Sequence, residues 1–274
     1  MRKILALDMD GTLLNSQKEI SPKTRSALKH FHDLGGIVAL STGRGMVELK
    51  DYPEEIEAFV DYGILLSGAM IYDFKKKKTL FYQGLPEDCG REVVQKILME
   101  DVMIQYMDYD KSVLGQWEFD HMADYHIEAY KPMYKRVGTL VEDMRQYALD
   151  HVAGVAKANF YHRDPEARQR SKDRIKDYPV TIAFTEKASL EVSPFGVSKG
   201  KGLEMLCSHL GYDLSDSIAV GDSNNDLTVL QTAGLSVAMG NATEEILSVC
   251  DMVVADNDHD GIAEVVDYLL SEEQ

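Results

Sequence analysis

Apolar residues come along this chain in short bursts, each followed by a longer stretch with helical spacing. Ile4–Leu7 is four apolar residues in a row, the mark of a strand buried on both faces. Ser21-Pro22 supplies an N-cap and a first helical residue, and the periodic pattern behind it runs to Gly35-Gly36. Ile37–Leu40 is a second strand, and a helix is predicted from Arg44 to about Ala58. Gly63–Leu66, Met70–Asp73 and Thr79–Tyr82 predict short strands, with the Lys75–Lys78 run as a solvated turn between two of them. The same alternation returns near the end. A helix is predicted over Ser198–His209, a strand over Ser217–Val220 and a helix over Asn225–Thr232. Strand Ser236–Ala238, helix Thr243–Leu247, strand Met252–Val254 and helix Gly261–Leu270 follow. Short apolar strands alternating with helices predict an α/β fold with a doubly wound, mostly parallel sheet. Ligands bind such sheets beyond the carboxyl ends of the strands.

Between these parts, residues 83–189 change the rhythm. Helix Glu87–Glu100 precedes strand-like Met103–Met107 and Ser112–Leu114. Helices are predicted near Met122–Tyr130 and Lys135–Asp150, then Val152–Asn159 and a helix near Asp164–Ile175. Strands Val180–Phe184 and Ala188–Glu191 complete the segment. The pattern predicts an inserted α+β domain, its antiparallel sheet covered on one side by helices. The domains expected are therefore 1–82 with 190–274, and 83–189. Chain reversals are expected near Tyr82–Pro86 and Glu191–Gly196, where glycine and proline cluster.

Composition narrows the partners. At 274 residues the chain has room for two domains, and its formal net charge of −17 disfavours nucleic acid and anionic membranes. A small anionic substrate remains compatible, because salt screens distant charge over about 8–10 Å. Cys89, Cys207 and Cys250 are odd in number and lack a C-x-x-C spacing, as expected of reduced thiols in a cytoplasmic protein. The apolar run after Met1-Arg2-Lys3 is too short for a signal peptide, and no 18-residue apolar stretch predicts a membrane span.

Candidate chemistry starts at Asp8-Met9-Asp10-Gly11-Thr12, directly after the first strand. Residues i and i+2 of a strand share a face, so an extended backbone would project Asp8 and Asp10 together. Two crowded carboxylates need a proton or a cation between them, and Mg2+ suits few carboxylates completed by water and phosphate. A solvated acidic turn is the plain alternative. Three more segments then matter: Ser41-Thr42-Gly43-Arg44 ending the second strand, Ser198-Lys199-Gly200 opening a helix, and Gly221-Asp222-Ser223-Asn224-Asn225-Asp226 after a third strand. With these four motifs in this order the chain resembles the haloacid dehalogenase-like phosphohydrolases, and within them the Cof-type branch. Val237–Ala242 and Asp258-His259-Asp260-Gly261 are similar to Cof-type proteins too. The resemblance covers roughly 1–82 and 190–274 and is weak in the middle. At Ser67-Gly68-Ala69 the chain departs from it, since Cof-type proteins usually carry Asn before Gly-Ala.

The resemblance implies a Mg2+-dependent phosphatase of small phosphorylated metabolites, such as sugar phosphates, acting through an aspartyl-phosphate. It implies Asp8 as nucleophile and Asp10 as acid and base, with the Asp10 carbonyl also reaching the metal. Asp222 would be the second carboxylate ligand, and Asp226 would support the metal's waters or orient Lys199. Phosphate or substrate contacts would fall to Gly11, Thr42, Arg44, Lys199 and Asn225. Ser41 stands as the alternative to Thr42, and a surface helix start as the alternative for Arg44. The inserted domain would be a cap that closes over the site and selects the substrate. A sugar-phosphate mutase or phosphotransferase is the second reading. A calcium-binding non-enzyme is the third, since Asp256–Gly261 matches the front of a calcium loop but follows a predicted strand rather than a helix. The protein is expected as a monomer or homodimer.

Overall fold

The structure is a computed structural model that describes residues 3–271. Met1 and Arg2, at the head of the expected leaderless start, lie outside the described residues. The strands are β1 Ile4–Leu7, β2 Ile37–Ser41, β3 Tyr62–Leu65, β4 Met70–Asp73, β5 Lys78–Tyr82, β6 Val102–Met107, β7 Ser112–Gly115, β8 Gly138–Val141, β9 Lys157–His162, β10 Val180–Thr185, β11 Ser189–Pro194, β12 Ser217–Gly221, β13 Leu235–Ala238 and β14 Met252–Val253. The helices are α1 Pro22–Asp33, α2 Pro53–Phe59, α3 Glu87–Ile97, α4 Gln116–Asp120, α5 Lys131–Val137, α6 Met144–Asp150, α7 Pro165–Ile175, α8 Lys199–Leu210, α9 Leu227–Thr232, α10 Glu244–Val249 and α11 Gly261–Ser271. They form two compact units. One holds the residues up to 43, 52–81 and those from 198 on, and the other holds 44–51 and 82–197.

The first unit carries an eight-stranded sheet in the order β14-β13-β12-β1-β2-β3-β4-β5. Its strands pair in parallel from β14 to β3, and β4 turns back antiparallel on β3. β1 lies at the centre, which explains why Ile4–Leu7 is apolar without alternation: both faces are covered. Ile4 and Ala6 pack with Leu203 and Leu206 of α8 and with Val229 and Leu230 of α9. Leu5 and Leu7 point the other way by alternation and are fully buried. No helix among the described residues is long and apolar enough to cross a membrane.

The second unit is a six-stranded sheet in the order β10-β11-β9-β6-β7-β8, antiparallel except for the β7–β8 pair. Ile104, Tyr106, Ala158, Phe160, Leu190 and Val192 face α3, α6 and α7 and make the core. The opposite face is not bare. Met103, Leu114 and Tyr161 pack there with Phe119, Met122, Tyr125 and Tyr134.

Several expected elements differ, each for a local reason. The helix expected over Arg44–Ala58 is a single 3-10 turn, Met46–Leu49, and then α2, which restarts at Pro53 because proline fits only the first turn. Met122–Tyr130 is two 3-10 turns separated by His126 in the left-handed region. Lys135–Asp150 breaks at Gly138 into α5, the edge strand β8 and α6. Residues 190–197 fall in the second unit, past the change of rhythm expected at 189, because β11 pairs with β9 and β10.

The turn after β3 takes an unfavourable backbone. Leu66, Ser67 and Gly68 all have positive φ, at 52°, 57° and 102°. Ser67 N–H donates to the Thr42 carbonyl at 3.0 Å, and Thr42 N–H donates to the Ile64 carbonyl at 2.9 Å. A Cβ on Gly68 would lie 2.1 Å from the Ser198 carbonyl oxygen, so this turn sits against the residue that caps α8. Gly68→Ala therefore meets both a left-handed penalty and a backbone clash. Gly211, the left-handed C-cap of α8, has open space around its Cβ position. Gly211→Ala should cost about 1–2 kcal/mol, and Gly68→Ala clearly more, measured as unfolding midpoints in urea. Equal costs would contradict the steric account.

Candidate active site

Alternation along β1 points Ile4 and Ala6 toward α8, and Asp8, the first residue beyond the strand, follows on the same side. The Asp8 carboxylate Oδ1 accepts from the Lys199 ammonium at 2.7 Å. Lys199 opens α8, where Ser198 caps the helix by accepting the Lys201 N–H at 3.1 Å. The same ammonium donates to Asp226 Oδ1 at 2.6 Å. Asp226 Oδ2 accepts the backbone N–H groups of Asp222 and Ser223, both at 3.2 Å. Asp226 thus spends one oxygen on Lys199 and the other on the loop after β12. Lys199, Asp8 and Asp226 are all buried.

Asp222 completes the group. Carboxylate oxygens of Asp8, Asp222 and Asp226 all lie within 4.8 Å of one another. Thr12 Oγ1 donates to Asp222 Oδ1 at 3.1 Å. Gly11 has φ 87°, and a Cβ there would sit 2.5 Å from Asp222 Oδ2, so only glycine lets the Asp10–Thr12 turn come this close. Asp8 and Asp222 each keep one carboxylate oxygen that no hydrogen-bond donor among the described residues engages.

Three carboxylates around one ammonium leave this buried group negative. Burial first, then Asp226 and Asp222, push the Asp8 carboxyl up to about 8 against the pull of Lys199. Burial and Asp226 push Asp222 up to about 6, opposed by the Thr12 hydroxyl and Lys199. Burial opposes the charge on Lys199, yet Asp226 and Asp8 hold it firmly protonated. A hard divalent cation held by the remaining oxygens of Asp8 and Asp222 would relieve the repulsion and keep both acids ionised. The donor set fits Mg2+.

Asp10 is not one of these three carboxylates, but its charge helps to raise the Asp222 carboxyl. β1 ends at Leu7, and Asp10 sits in a turn bridged to Leu14. Its carboxylate Oδ1 pairs with the Lys18 ammonium at 2.8 Å. Thr42 and Ser41 are both buried where β2 ends. Among the described residues the Ser41 hydroxyl has no hydrogen-bond partner, and neither has that of Ser67. Asn225 Oδ1 accepts from Ser223 Oγ at 2.7 Å, inside the loop after β12. Arg44 is buried in the second unit, away from the surface helix start considered for it. The Asp256–Gly261 run is occupied with other work. Asp258 accepts the Ser16 N–H at 2.8 Å and its hydroxyl at 2.5 Å, Asp260 accepts the Ser21 hydroxyl, and Asp256 accepts the Asp258 N–H. These carboxylates fasten the 14–21 segment rather than forming a calcium loop.

Sequence reasoning passed over a polar face in the second unit. Glu191, Asn159 and Gln105 stand directly opposite one another on β11, β9 and β6. Gln105 Nε2 donates to Glu48 Oε1 at 3.1 Å and to Ser112 Oγ at 2.8 Å. Its Oε1 accepts from Tyr134, Tyr161 and Asn159 at 3.0, 2.9 and 2.8 Å. Lys157 pairs with Glu191 at 3.1 Å. Burial raises the Glu48 carboxyl, against Lys157 and Arg44. Asn159 Oδ1 and Ser193 Oγ are buried and have no hydrogen-bond partner among the described residues. The signal was present in the chain, as polar residues at 157, 159 and 161 and again at 189, 191 and 193. Such alternation ordinarily marks a solvent face, and here those positions are buried.

Comparison with known proteins gives the family. The family model of the haloacid dehalogenase-like hydrolases matches residues 5–266. The chain is 26% identical to the 5-amino-6-(5-phospho-D-ribitylamino)uracil phosphatase YwtE of Bacillus subtilis (strain 168), over 98% of each chain. It is also 26% identical to the pyridoxal phosphate phosphatase YbhA of Escherichia coli (strain K12), over 96% of this chain and 97% of that one. The solved structure of a haloacid dehalogenase-like hydrolase from B. subtilis superposes with a TM-score of 0.86 at 25% identity, covering 97% of this chain and 99% of the other. The chain belongs to the haloacid dehalogenase-like hydrolases, in their Cof-type branch, and is a phosphoric monoester hydrolase.

Proposed function

We propose that the protein is a Mg2+-dependent phosphatase of polyol or sugar phosphates that works through a phosphoaspartate on Asp8. The buried Asp8–Lys199–Asp226 cluster beside Asp222 carries this reading. Asp8 attacks phosphorus, an O–P bond forms, and the bond from phosphorus to the substrate oxygen breaks. Asp10 gives its proton to that leaving oxygen. Water then attacks the phosphoaspartate, its proton passes to Asp10, and Asp8 is released with inorganic phosphate. Asp8, Asp222 and the Asp10 carbonyl would hold Mg2+, which when bound would supply charge neutralisation for the phosphoryl oxygens. Lys199 holds Asp8 in place and offsets its charge, and Asp226 holds Lys199. Thr42, the backbone at Gly11 and Asn225 are assigned to phosphate, with Ser41 as the alternative hydroxyl.

The second unit is assigned to the organic part of the substrate. Its polar face combines two unpartnered buried acceptors, an amide hub and a Lys157–Glu191 pair, a chemistry that suits hydroxyl groups rather than an apolar ring. The relative named for a phosphoribityl compound acts on a molecule with such a polyhydroxyl chain, which favours the same class here. Arg44, buried beside this face, is assigned to substrate rather than to the Asp8 cluster.

Three measurements test the proposal. Asp8→Asn should cut turnover at least ~1,000-fold, because an amide cannot attack phosphorus. Its melting temperature should not fall, since the change removes a buried repulsion among acids. Inactivity that merely tracked unfolding would leave Asp8 a structural residue. Chelator should abolish activity and Mg2+ restore it, with a rise in melting temperature on Mg2+ addition. Recovery by Ca2+ alone would contradict the metal assignment. Asn159→Leu and Ser193→Ala should each lower kcat/KM for pentitol phosphates by roughly tenfold, the scale of one lost hydrogen bond, while sparing an aryl phosphate. Equal losses on both substrates would remove the second unit from selection.

A further inference from the structure

Four side chains from the end of the chain hold the turn that follows Asp10. Asn241 Nδ2 donates to the Gly11 carbonyl at 2.8 Å, and its Oδ1 accepts the Asn257 N–H at 3.1 Å. Asn257 Nδ2 donates to the Leu14 carbonyl at 2.8 Å. Asp258 takes both donors of Ser16, and Asp260 takes the Ser21 hydroxyl at the N-cap of α1. These contacts follow the chain in order, at residues 11, 14, 16 and 21.

Inside this strap the segment closes on itself. Asn15 N–H donates to the Glu19 carbonyl at 2.9 Å, and Asn15 Oδ1 accepts the N–H groups of Gln17 and Glu19 at 3.0 and 2.9 Å. Lys18 occupies the tip with φ 62°, an unfavourable backbone for a lysine. Its N–H donates to the Asn15 carbonyl at 2.9 Å, and its carbonyl accepts from Tyr52 Oη at 3.2 Å. This ordering places Lys18 Nζ on Asp10 Oδ1 at 2.8 Å.

An ion pair between a half-exposed lysine and a partly exposed aspartate contributes little to folding. A strained backbone and a four-residue strap are therefore poorly explained as stability devices. They are explained by position. An acid that exchanges a proton with a leaving oxygen must sit about 3 Å from it, and an aspartate on a turn has two side-chain torsions to settle. Anchoring one oxygen settles both.

We propose that Lys18 is a positioning residue that orients the Asp10 carboxylate, and that the Asn241–Asn257–Asp258 strap exists to deliver it. The inference rests on the reading of Asp10 as the acid. Lys18→Gln should lower kcat/KM for an alkyl phosphate such as glycerol phosphate about tenfold, a fraction of a general acid's usual share. For 4-nitrophenyl phosphate, whose leaving group needs no proton, the change should stay within about twofold. Inhibition by inorganic phosphate should be unchanged, and Lys18→Arg should recover most of the loss. Asp258→Asn should show the same pattern in weaker form, and adding it to Lys18→Gln should bring no further loss, as for residues acting in one chain of contacts. Wild-type rates for Lys18→Gln, equal losses on both substrates, or weakened phosphate inhibition would each overturn the proposal. Asp10→Asn separates the two levels. If it slows both substrates alike, the acid reading fails; if it discriminates between them while Lys18→Gln does not, the positioning role alone fails.

Discussion

Everything in the first unit is arranged around a lysine kept charged where water does not reach. Lys199 is buried, stands at the first position of α8, and so faces the positive end of that helix. Both circumstances oppose its charge. Asp8 and Asp226 overcome them at 2.7 and 2.6 Å, but two acids with a third beside them overshoot and leave the group negative. Replacing such a cluster with apolar residues would cost a fold little and could stabilise it. Its persistence at the end of the central strand is therefore an argument about chemistry. A negative pocket with unengaged carboxylate oxygens is one that the proposed divalent cation and phosphate would complete together, one supplying the charge the other requires.

Delivering that cluster demands backbone conformations the chain would not choose alone. Leu66, Ser67 and Gly68 take three positive φ values in succession so that the turn reaches both Thr42 and Ser198. Strain of this kind persists only where the surroundings over-determine it. Here β2, β3 and the start of α8 do so. The serine at 67 also acquires a meaning. Asparagine tolerates the left-handed region better than serine does, so the departure from the Cof-type pattern falls at a position where backbone shape, and not only side-chain contact, favours the usual residue.

The alternating strands and helices of both ends were legible because each strand is short, apolar and bounded by turn residues, as in Ile4–Leu7 and Ser217–Gly221. The fold class followed from that rhythm, and the family from four motifs in order. Other features resisted reading for identifiable reasons. The end of β1 at Leu7, ahead of the turn where Gly11 meets Asp222, is announced by no local pattern. Gly138 breaks a helix-like stretch because β7 offers an edge to pair with, a tertiary opportunity that outweighs propensity. The buried polar face around Gln105 reads as a solvent face in one dimension and becomes a candidate binding surface only when burial is known. The Asp256–Gly261 run shows the reverse error. Its acids match a metal loop in spacing, yet each is spent on a backbone or hydroxyl donor of the 14–21 segment or of its own turn.

A net charge of −17 on an enzyme for anionic substrates is less paradoxical once charge is located rather than summed. Surface acids act over about a Debye length, roughly 8–10 Å in ordinary salt, whereas Lys199 and a bound cation would act at contact distance with little screening. A net-negative surface field disfavours polyanions such as nucleic acid. The local site then decides which phosphates are accepted. That division lets polar groups in the second unit, with two cations and two acids at Arg44, Lys157, Glu48 and Glu191, remain nearly neutral. An organic part made of hydroxyls, as proposed, would match such a face, and the phosphate alone would carry the electrostatic address.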